Sequence, residues 1–71
     1  MTNMHPVNSS NIHSIGYDEE AKELHVKFAS GATYAYEGVP PEIFDEFRQA
    51  ENKMKYLNSK IKAPFNVRKL P

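Results

Sequence analysis

Few side chains in this sequence have the type and spacing that chemistry requires. His13 and His25 fall on neighbouring predicted strands, but no third ligand has a characteristic spacing, and zinc sites use three or four protein ligands. Acid pairs such as Asp45 and Glu46 fall where a helix begins, and carboxylates are expected there on electrostatic grounds. The five serines lack a nucleophile-elbow context, and the three glycines form no phosphate-binding loop. The sequence therefore predicts a protein that is not an enzyme and has neither a metal site nor a cofactor.

Length and composition narrow the class of protein. A chain of 71 residues forms one small domain, which buries only about 60% of its unfolded surface, so every large apolar side chain matters to the core. The chain has no cysteine, which excludes disulfides and thiolate chemistry and suits a reducing compartment. No apolar run approaches the ~20 residues of a membrane span, and residues 1–10 lack the apolar core of a signal peptide. We therefore expect a cytoplasmic protein that does not enter a membrane.

The formal net charge of zero hides an asymmetry along the chain. Residues 1–51 contain all nine acidic residues and three basic ones, a net charge of −6, whereas residues 52–71 contain six basic residues and no acid, a net charge of +6. Such an asymmetry is typical of a segment that faces a polyanion, although the basic end could equally neutralise the acidic body within one fold.

The first half of the chain predicts an antiparallel sheet. Ile12 and Ile15 give residues 11–17 the character of a strand, and because they differ in parity we expect a bulge near Ser14. Apolar and polar residues alternate strictly over residues 24–28, which is typical of a half-buried strand.

A third strand covers residues 32–37, and the length of the turn before it decides the register. A two-residue turn would pair Lys27 with Tyr34 and place both tyrosines of the Tyr-Ala-Tyr sequence opposite the apolar face. A three-residue turn with Gly31 in the left-handed conformation would pair Val26 with Tyr34 and place the large side chains on one face. We favour the three-residue turn, because so small a protein can hardly leave two tyrosines outside its core.

Tyr34 and Tyr36 permit three interpretations. They can be core residues, as the favoured register implies, or a platform on which single-stranded bases stack, or rim residues that use their hydroxyl groups. Burial is the interpretation that we favour, and the sequence leaves open how far each tyrosine is exposed.

The second half of the chain predicts two helices. Pro41 suits the first position of a helix, and an apolar stripe follows it at helical spacing: Ile43, Phe44, Phe47 and Ala50. Residues 52–53 interrupt the pattern, and a second stripe follows in Met54, Leu57 and Ile61. Whether the two helices are continuous stays open. Together these patterns predict an α+β fold, a three-stranded antiparallel β-meander followed by two α-helices packed on one face, with residues 1–9 as a flexible arm and residues 10–71 as a single domain.

The ordered set of motifs resembles the KTSC domain family. The motifs are Ser9-Ser10-Asn11-Ile12, Ile15-Gly16-Tyr17-Asp18, Leu24-x-Val26-x-Phe28-x-x-Gly31-x-x-Tyr34-x-Tyr36, Val39-Pro40 and Tyr56-Leu57-Asn58-x-x-Ile61. The family takes its name from the C-terminus of some lysyl-tRNA synthetases and also occurs as a free-standing small protein in bacteria and their phages. The resemblance implies a small α+β module for which RNA binding has been suggested, and it supplies no catalytic residue. This chain departs from the family at Asn52-Lys53-Met54, where many members have Ser-x-Gly.

Two functions remain as hypotheses, and both are forms of binding. The first is weak RNA binding, in which the basic C-terminal segment contacts phosphates and Tyr56 stacks a base; its predicted residues are Lys53, Lys55, Tyr56, Lys60, Lys62, Arg68 and Lys69. The alternative is a protein–protein interaction module with no nucleic-acid role, which would pair with another protein or a second copy through an edge strand at residues 11–17 or 65–70. The oligomeric state stays open.

Overall fold

A computed structural model describes residues 3–62 and 64–70 of the chain. Five strands form one antiparallel sheet in chain order: β1 (His5–Pro6), β2 (Ile12–Asp18), β3 (Glu23–Phe28), β4 (Thr33–Glu37) and β5 (Asn66–Leu70). Between β4 and β5 the chain forms helix α1 (Pro41–Gln49) and helix α2 (Lys53–Tyr56). Helix α2 continues as a π-helical segment (Leu57–Ile61), and we call the two together the second helical segment. The fold is therefore α+β.

The prediction of a three-stranded sheet followed by two helices is wrong in strand number and in order. β1 consists of two residues, which are too few to show an alternation of apolar and polar side chains. It lies within the predicted flexible arm, and its residue His5 pairs with Ile15 of β2. β5 pairs with β4, so the helices interrupt the sheet in sequence instead of following it. β1 is too short for a local pattern to reveal it, and β5 depends on a partner that lies before both helices in the sequence.

The predicted hairpin register is confirmed. Val26 pairs with Tyr34, as the three-residue turn requires. The amide of Phe28 donates to the carbonyl of Ala32 over 2.8 Å and closes the turn, and Gly31 has φ of +99°, a conformation that L side chains rarely adopt. The turn thus places the large side chains of β3 and β4 on one face.

The predicted bulge in β2 is also confirmed. Ile12 pairs with Phe28 and Ser14 with Lys27, so that β2 has one extra residue at this point. The extra residue changes the parity of the strand, and as a result both Ile12 and Ile15 are buried in the same core.

The two helices are separate. Helix α1 begins at Pro41, as predicted, and ends at Gln49, after which Ala50 has an extended backbone. Asn52 then caps α2, because its side-chain oxygen accepts a hydrogen bond from the amide of Lys55 over 3.1 Å. The extended backbone at Ala50 and the cap at Asn52 thus exclude a continuous helix.

One face of the sheet and the helices enclose the core. Its buried members come from three strands, the loop before α1 and both helical segments: Ile12, Ile15, Leu24, Val26, Tyr36, Val39, Phe47, Leu57 and Ile61. We call the sheet face that contributes to this core the core face. The other face carries Lys27 and Arg68, which are exposed.

Candidate functional site: a tyrosine-lined groove

The residues predicted to bind nucleic acid lie on more than one surface of the fold. Arg68 is on β5 opposite Ala35, on the sheet face away from the core. Its guanidinium lies 2.8 Å from a carboxylate oxygen of Glu23 and 2.6 Å from one of Glu37. These hydrogen bonds raise the pKa of Arg68, and the bond from Arg68, with a second from His25, lowers the pKa of Glu23. The charge of Arg68 is thus paired within the protein, and it links β5 to β3 and β4.

Tyr56 joins the two helices. Its hydroxyl donates to a carboxylate oxygen of Glu46 over 2.8 Å, and its ring centroid lies 5.9 Å from that of Phe47. Burial, together with the hydrogen bond to Glu46, raises the pKa of Tyr56 to about 12. The ring therefore packs against α1, whereas the sequence predicted that it projects away from the apolar stripe to stack a base.

Three of the predicted lysines lie on α2 and on the π-helical segment that continues it. The ammonium group of Lys53 donates to the carbonyl of Ala50 over 3.0 Å. Lys55 and Lys60 are exposed and line a shallow cavity of about 290 Å³ together with Tyr56. Lys55 and Lys60 thus form one exposed basic surface, apart from Arg68.

The remaining predicted lysines lie beside a groove between the sheet and the second helical segment. Its cavity has a volume of about 300 Å³, and we call it the tyrosine groove; its principal lining residues are Phe28, Tyr34, Tyr36, Met54, Asn58 and Lys62. Lys69 pairs with Tyr34 across β4 and β5 and therefore shares its sheet face. Val67, which is 47% exposed, forms part of the wall on β5. The groove thus combines aromatic walls with two nearby positive charges.

The hydroxyl groups of the groove have no partner among the described residues. Tyr17 and Tyr56 donate hydrogen bonds to Val39 and Glu46, whereas the hydroxyls of Tyr34 and Tyr36 bond to no described residue. Tyr36 is only 4% exposed. Since no fully buried polar side-chain atom of the described residues lacks a partner, its hydroxyl must reach the surface at the groove. A ring that is almost fully buried thus presents a solvent-accessible hydroxyl group to a ligand that enters the groove.

Burial is also the main influence on the ionisation of Tyr36. It raises the pKa of Tyr36, and the neighbouring Tyr34 adds to the rise. The phenol of Tyr36 is therefore neutral near pH 7, and it can donate one hydrogen bond and accept another. The groove offers directional hydrogen bonding together with an apolar surface.

Sequence reasoning missed the parts of this groove that come from non-local contacts. Asn58, Met54 and Val67 were not predicted as site residues, yet they line the groove beside Tyr34 and Tyr36. The signal that could have found it was the resemblance itself, because the Tyr-x-Tyr and Leu-Asn motifs that carry it meet here. The interpretation of the tyrosines as core residues holds for Tyr36, whereas Tyr34 is half-buried.

The histidines do not come together as a metal site. His25 pairs with Gly16 and lies 3.1 Å from Glu23, and the ring of His13 lies 3.2 Å from the hydroxyl of Ser14. Among residues 3–62 and 64–70, no group of three histidines or carboxylates could hold a metal ion. In the same part of the chain, no helix has the length and apolar character needed to cross a membrane.

Several known proteins are similar to this chain over most of its length. A protein of Tsukamurella paurometabola is 44% identical over 64 residues, which cover 90% of this chain and 96% of that protein. An uncharacterised protein of Stutzerimonas stutzeri is 43% identical over 54 residues, which cover 76% of each chain. A lysine–tRNA ligase of Nostoc punctiforme is 31% identical over 59 residues, which cover 83% of this chain but only 10% of the ligase.

A solved structure and a family model agree with these similarities. The crystal structure of a KTSC domain protein from Yersinia pestis matches the whole of both chains with a TM-score of 0.95 and 37% sequence identity. The model of the KTSC domain matches residues 8–65. This chain therefore belongs to the KTSC domain family.

Proposed function

We propose that this protein is a non-enzymatic binding module that binds single-stranded RNA weakly through the tyrosine groove. The observation that carries the proposal is the hydroxyl of Tyr36, a group on a side chain only 4% exposed that has no described partner and opens into the groove. An accessible hydroxyl beside the aromatic walls of the groove suits a flat ligand with hydrogen-bonding edges. An unpaired nucleobase has that chemistry.

The walls and charges of the groove suit the other parts of a nucleotide. Tyr34 is half-buried and offers an aromatic surface, and base–aromatic stacking contributes about 1–3 kcal/mol per base. Lys62 lines the groove, and Lys69 shares the sheet face of Tyr34, so both can contact phosphates. Lys55 and Lys60 lie on the neighbouring surface of α2 and would add long-range attraction.

One relative gives independent support for RNA as the ligand. The similar segment of Nostoc punctiforme lies in a protein named as a lysine–tRNA ligase, whose name states that it acts on a tRNA. Because the match covers only 10% of that protein, it supports a shared binding module and not a shared enzymatic activity. A cytoplasmic location, expected from the sequence, is part of this proposal.

The test is a titration of a fluorescently labelled single-stranded RNA at two or more salt concentrations. With Lys62 and Lys69 as the two phosphate contacts, log K falls against log salt with a slope of about −1.4, and the affinity is about micromolar or weaker. The double variant Lys62→Ala/Lys69→Ala removes both contacts, so most of the salt dependence is lost and the affinity falls about tenfold.

The matched control is the double variant Lys55→Ala/Lys60→Ala, which removes the same charge from the outer surface of α2. We expect it to weaken binding only about twofold to threefold, through long-range electrostatics. Equal losses in the two double variants would show that general positive charge and not the groove binds the RNA. If the unmodified protein does not bind, the proposed function is wrong.

A second candidate function has a specific observation in its favour. β5 is the last strand of the sheet order, and Val67 on it is the exposed large apolar residue of the described part of the chain. An edge strand of this kind can pair with an extended segment of another protein. The other predicted edge, residues 11–17, largely coincides with β2, which pairs with both β1 and β3. A strict monomer in sedimentation, and affinity capture that recovers RNA but no protein, would count against this candidate.

A further inference from the structure

The tyrosine groove does not end at Tyr34. A second cavity of about 400 Å³ shares Phe28, Tyr34 and Met54 with the groove cavity of about 300 Å³. Tyr34 comes from the sheet and Met54 from the helical layer, and the pair separates two adjoining spaces. Each space lies near the lower end of the range for ligand cavities, about 300–1,000 Å³, and therefore suits one group of the size of a base.

The two spaces differ in chemistry. The groove holds the hydroxyl of Tyr36, the amide of Asn58 and the ammonium of Lys62, which together can both donate and accept hydrogen bonds. The second cavity, which we call the adjoining cavity, lies beside the β3–β4 turn, and Asn11 and Ser30 supply its polar side chains. Its other residues at the turn are alanines, which leave room without adding hydrogen bonds.

The ring that separates the two spaces is held in place. The ring centroids of Phe28 and Tyr34 are 5.5 Å apart and their planes meet at 73°, an edge-to-face contact. A ring that is already fixed loses little conformational entropy when a flat group packs against it. Bases can therefore pack against Tyr34 with little further loss of conformational entropy in its side chain.

We propose that the tyrosine groove and the adjoining cavity bind two successive unpaired nucleotides of one RNA strand, one on each side of Tyr34. This inference rests on the proposed function, and it adds the size of the ligand and the role of each space. The base in the groove is hydrogen-bonded by the hydroxyl of Tyr36 and the amide of Asn58. The base in the adjoining cavity packs against Tyr34 and Met54, with fewer hydrogen bonds.

The ligand length is tested with three probes that are titrated against the complete protein. They are a tetranucleotide, the same tetranucleotide with one base removed, and the same tetranucleotide with two adjacent bases removed. The abasic probes keep the phosphate charge, so any difference between them reports on bases alone. We expect the loss of one central base to weaken binding about tenfold, and the loss of both about a hundredfold.

The assignment of the two spaces is tested with one variant in each. Asn58→Ala alters only the groove and Asn11→Ala only the adjoining cavity, and both side chains are exposed, so neither change should unfold the domain. Each variant should weaken binding of the intact tetranucleotide about threefold to tenfold. For a mononucleotide, which we expect to occupy the groove, Asn58→Ala should weaken binding, and Asn11→Ala should leave it unchanged.

The outcomes separate this inference from the proposed function. If no oligonucleotide binds, both are wrong. If the tetranucleotide binds with the expected dependence on Lys62 and Lys69 but tolerates removal of one or two bases, RNA binding stands and the two-base site is wrong. The two-base site is also wrong if Asn11→Ala leaves binding of the intact tetranucleotide unchanged.

Discussion

Replacing Phe47 by alanine should remove most of the stability of this domain. Phe47 is 0% exposed and belongs to the core that α1 shares with the sheet and the second helical segment. A buried aromatic side chain removes about 150–250 Å² from water, and at ~25 cal/mol per Å² this corresponds to about 4–6 kcal/mol. Alanine retains part of that area, so we expect the free energy of unfolding to fall by about 3–5 kcal/mol.

This loss is large in comparison with the total. A domain of 71 residues with ~0.05–0.15 kcal/mol per residue has a free energy of unfolding of about 4–11 kcal/mol. The variant is therefore marginally folded or unfolded. Phe47→Leu keeps more of the side-chain volume and should lower the free energy of unfolding by about 1–2 kcal/mol. This variant still allows a measurement if the alanine variant does not fold.

Urea denaturation followed by far-UV circular dichroism measures these changes. The matched control is Val67→Ala, because Val67 is 47% exposed and its truncation should change the free energy of unfolding by no more than about 0.5 kcal/mol. A loss below about 1 kcal/mol for Phe47→Ala, or equal losses for the two alanine variants, would refute the assignment of Phe47 to the centre of the core.

Three further changes test two side-chain contacts and one backbone conformation. Tyr56→Phe removes the hydrogen bond to Glu46 and should lower the free energy of unfolding by about 0.5–1.5 kcal/mol. Folding raises the pKa of Tyr56 from 10.0 to about 12. Thermal melting should therefore show a difference in Tm between the variant and the unmodified protein below pH 10, and this difference should decrease toward pH 12. Glu23→Gln should lower Tm at pH 7, because it removes the ion pair with Arg68, which lowers the pKa of Glu23 in the fold. The difference in Tm should disappear as the pH falls through that lowered pKa. A difference in Tm that stays constant in acid would contradict the ion pair. Gly31→Ala should cost about 1–2 kcal/mol in chemical denaturation because of the positive φ, and Gly31→Asn should cost less; equal costs would contradict a backbone origin.

Much of the fold was predictable because it follows from local pattern. The one-sided alternation over β3, together with the requirement for a glycine at position 31, gave the register of the β3–β4 hairpin. The difference in parity between Ile12 and Ile15 gave the bulge, and Pro41 gave the start of α1. In each case the signal and the structure that it predicts lie within a few residues of one another.

The candidate site was predictable only in part. The charge asymmetry drew attention to lysines 62 and 69, which do lie beside the groove, but it grouped them with Arg68 and Tyr56. Arg68 is paired with Glu23, which is 45 positions away in sequence, and Tyr56 with Glu46. A count of charges does not show which of them are already satisfied inside the fold.

The sequence by itself determined the α+β class, the hairpin register, the start of α1 and membership of the KTSC family, because these depend on turn chemistry, periodicity and ordered motifs. Only the tertiary structure decided that β1 and β5 join the sheet, since a two-residue strand has no period and β5 pairs with a strand on the far side of both helices. It also decided that Tyr34, Tyr36 and Asn58 share one groove. The groove lies between the second helical segment and strands β3 and β4. Side chains from the helices and from the sheet come together only when these two layers pack against each other, which the local sequence does not specify.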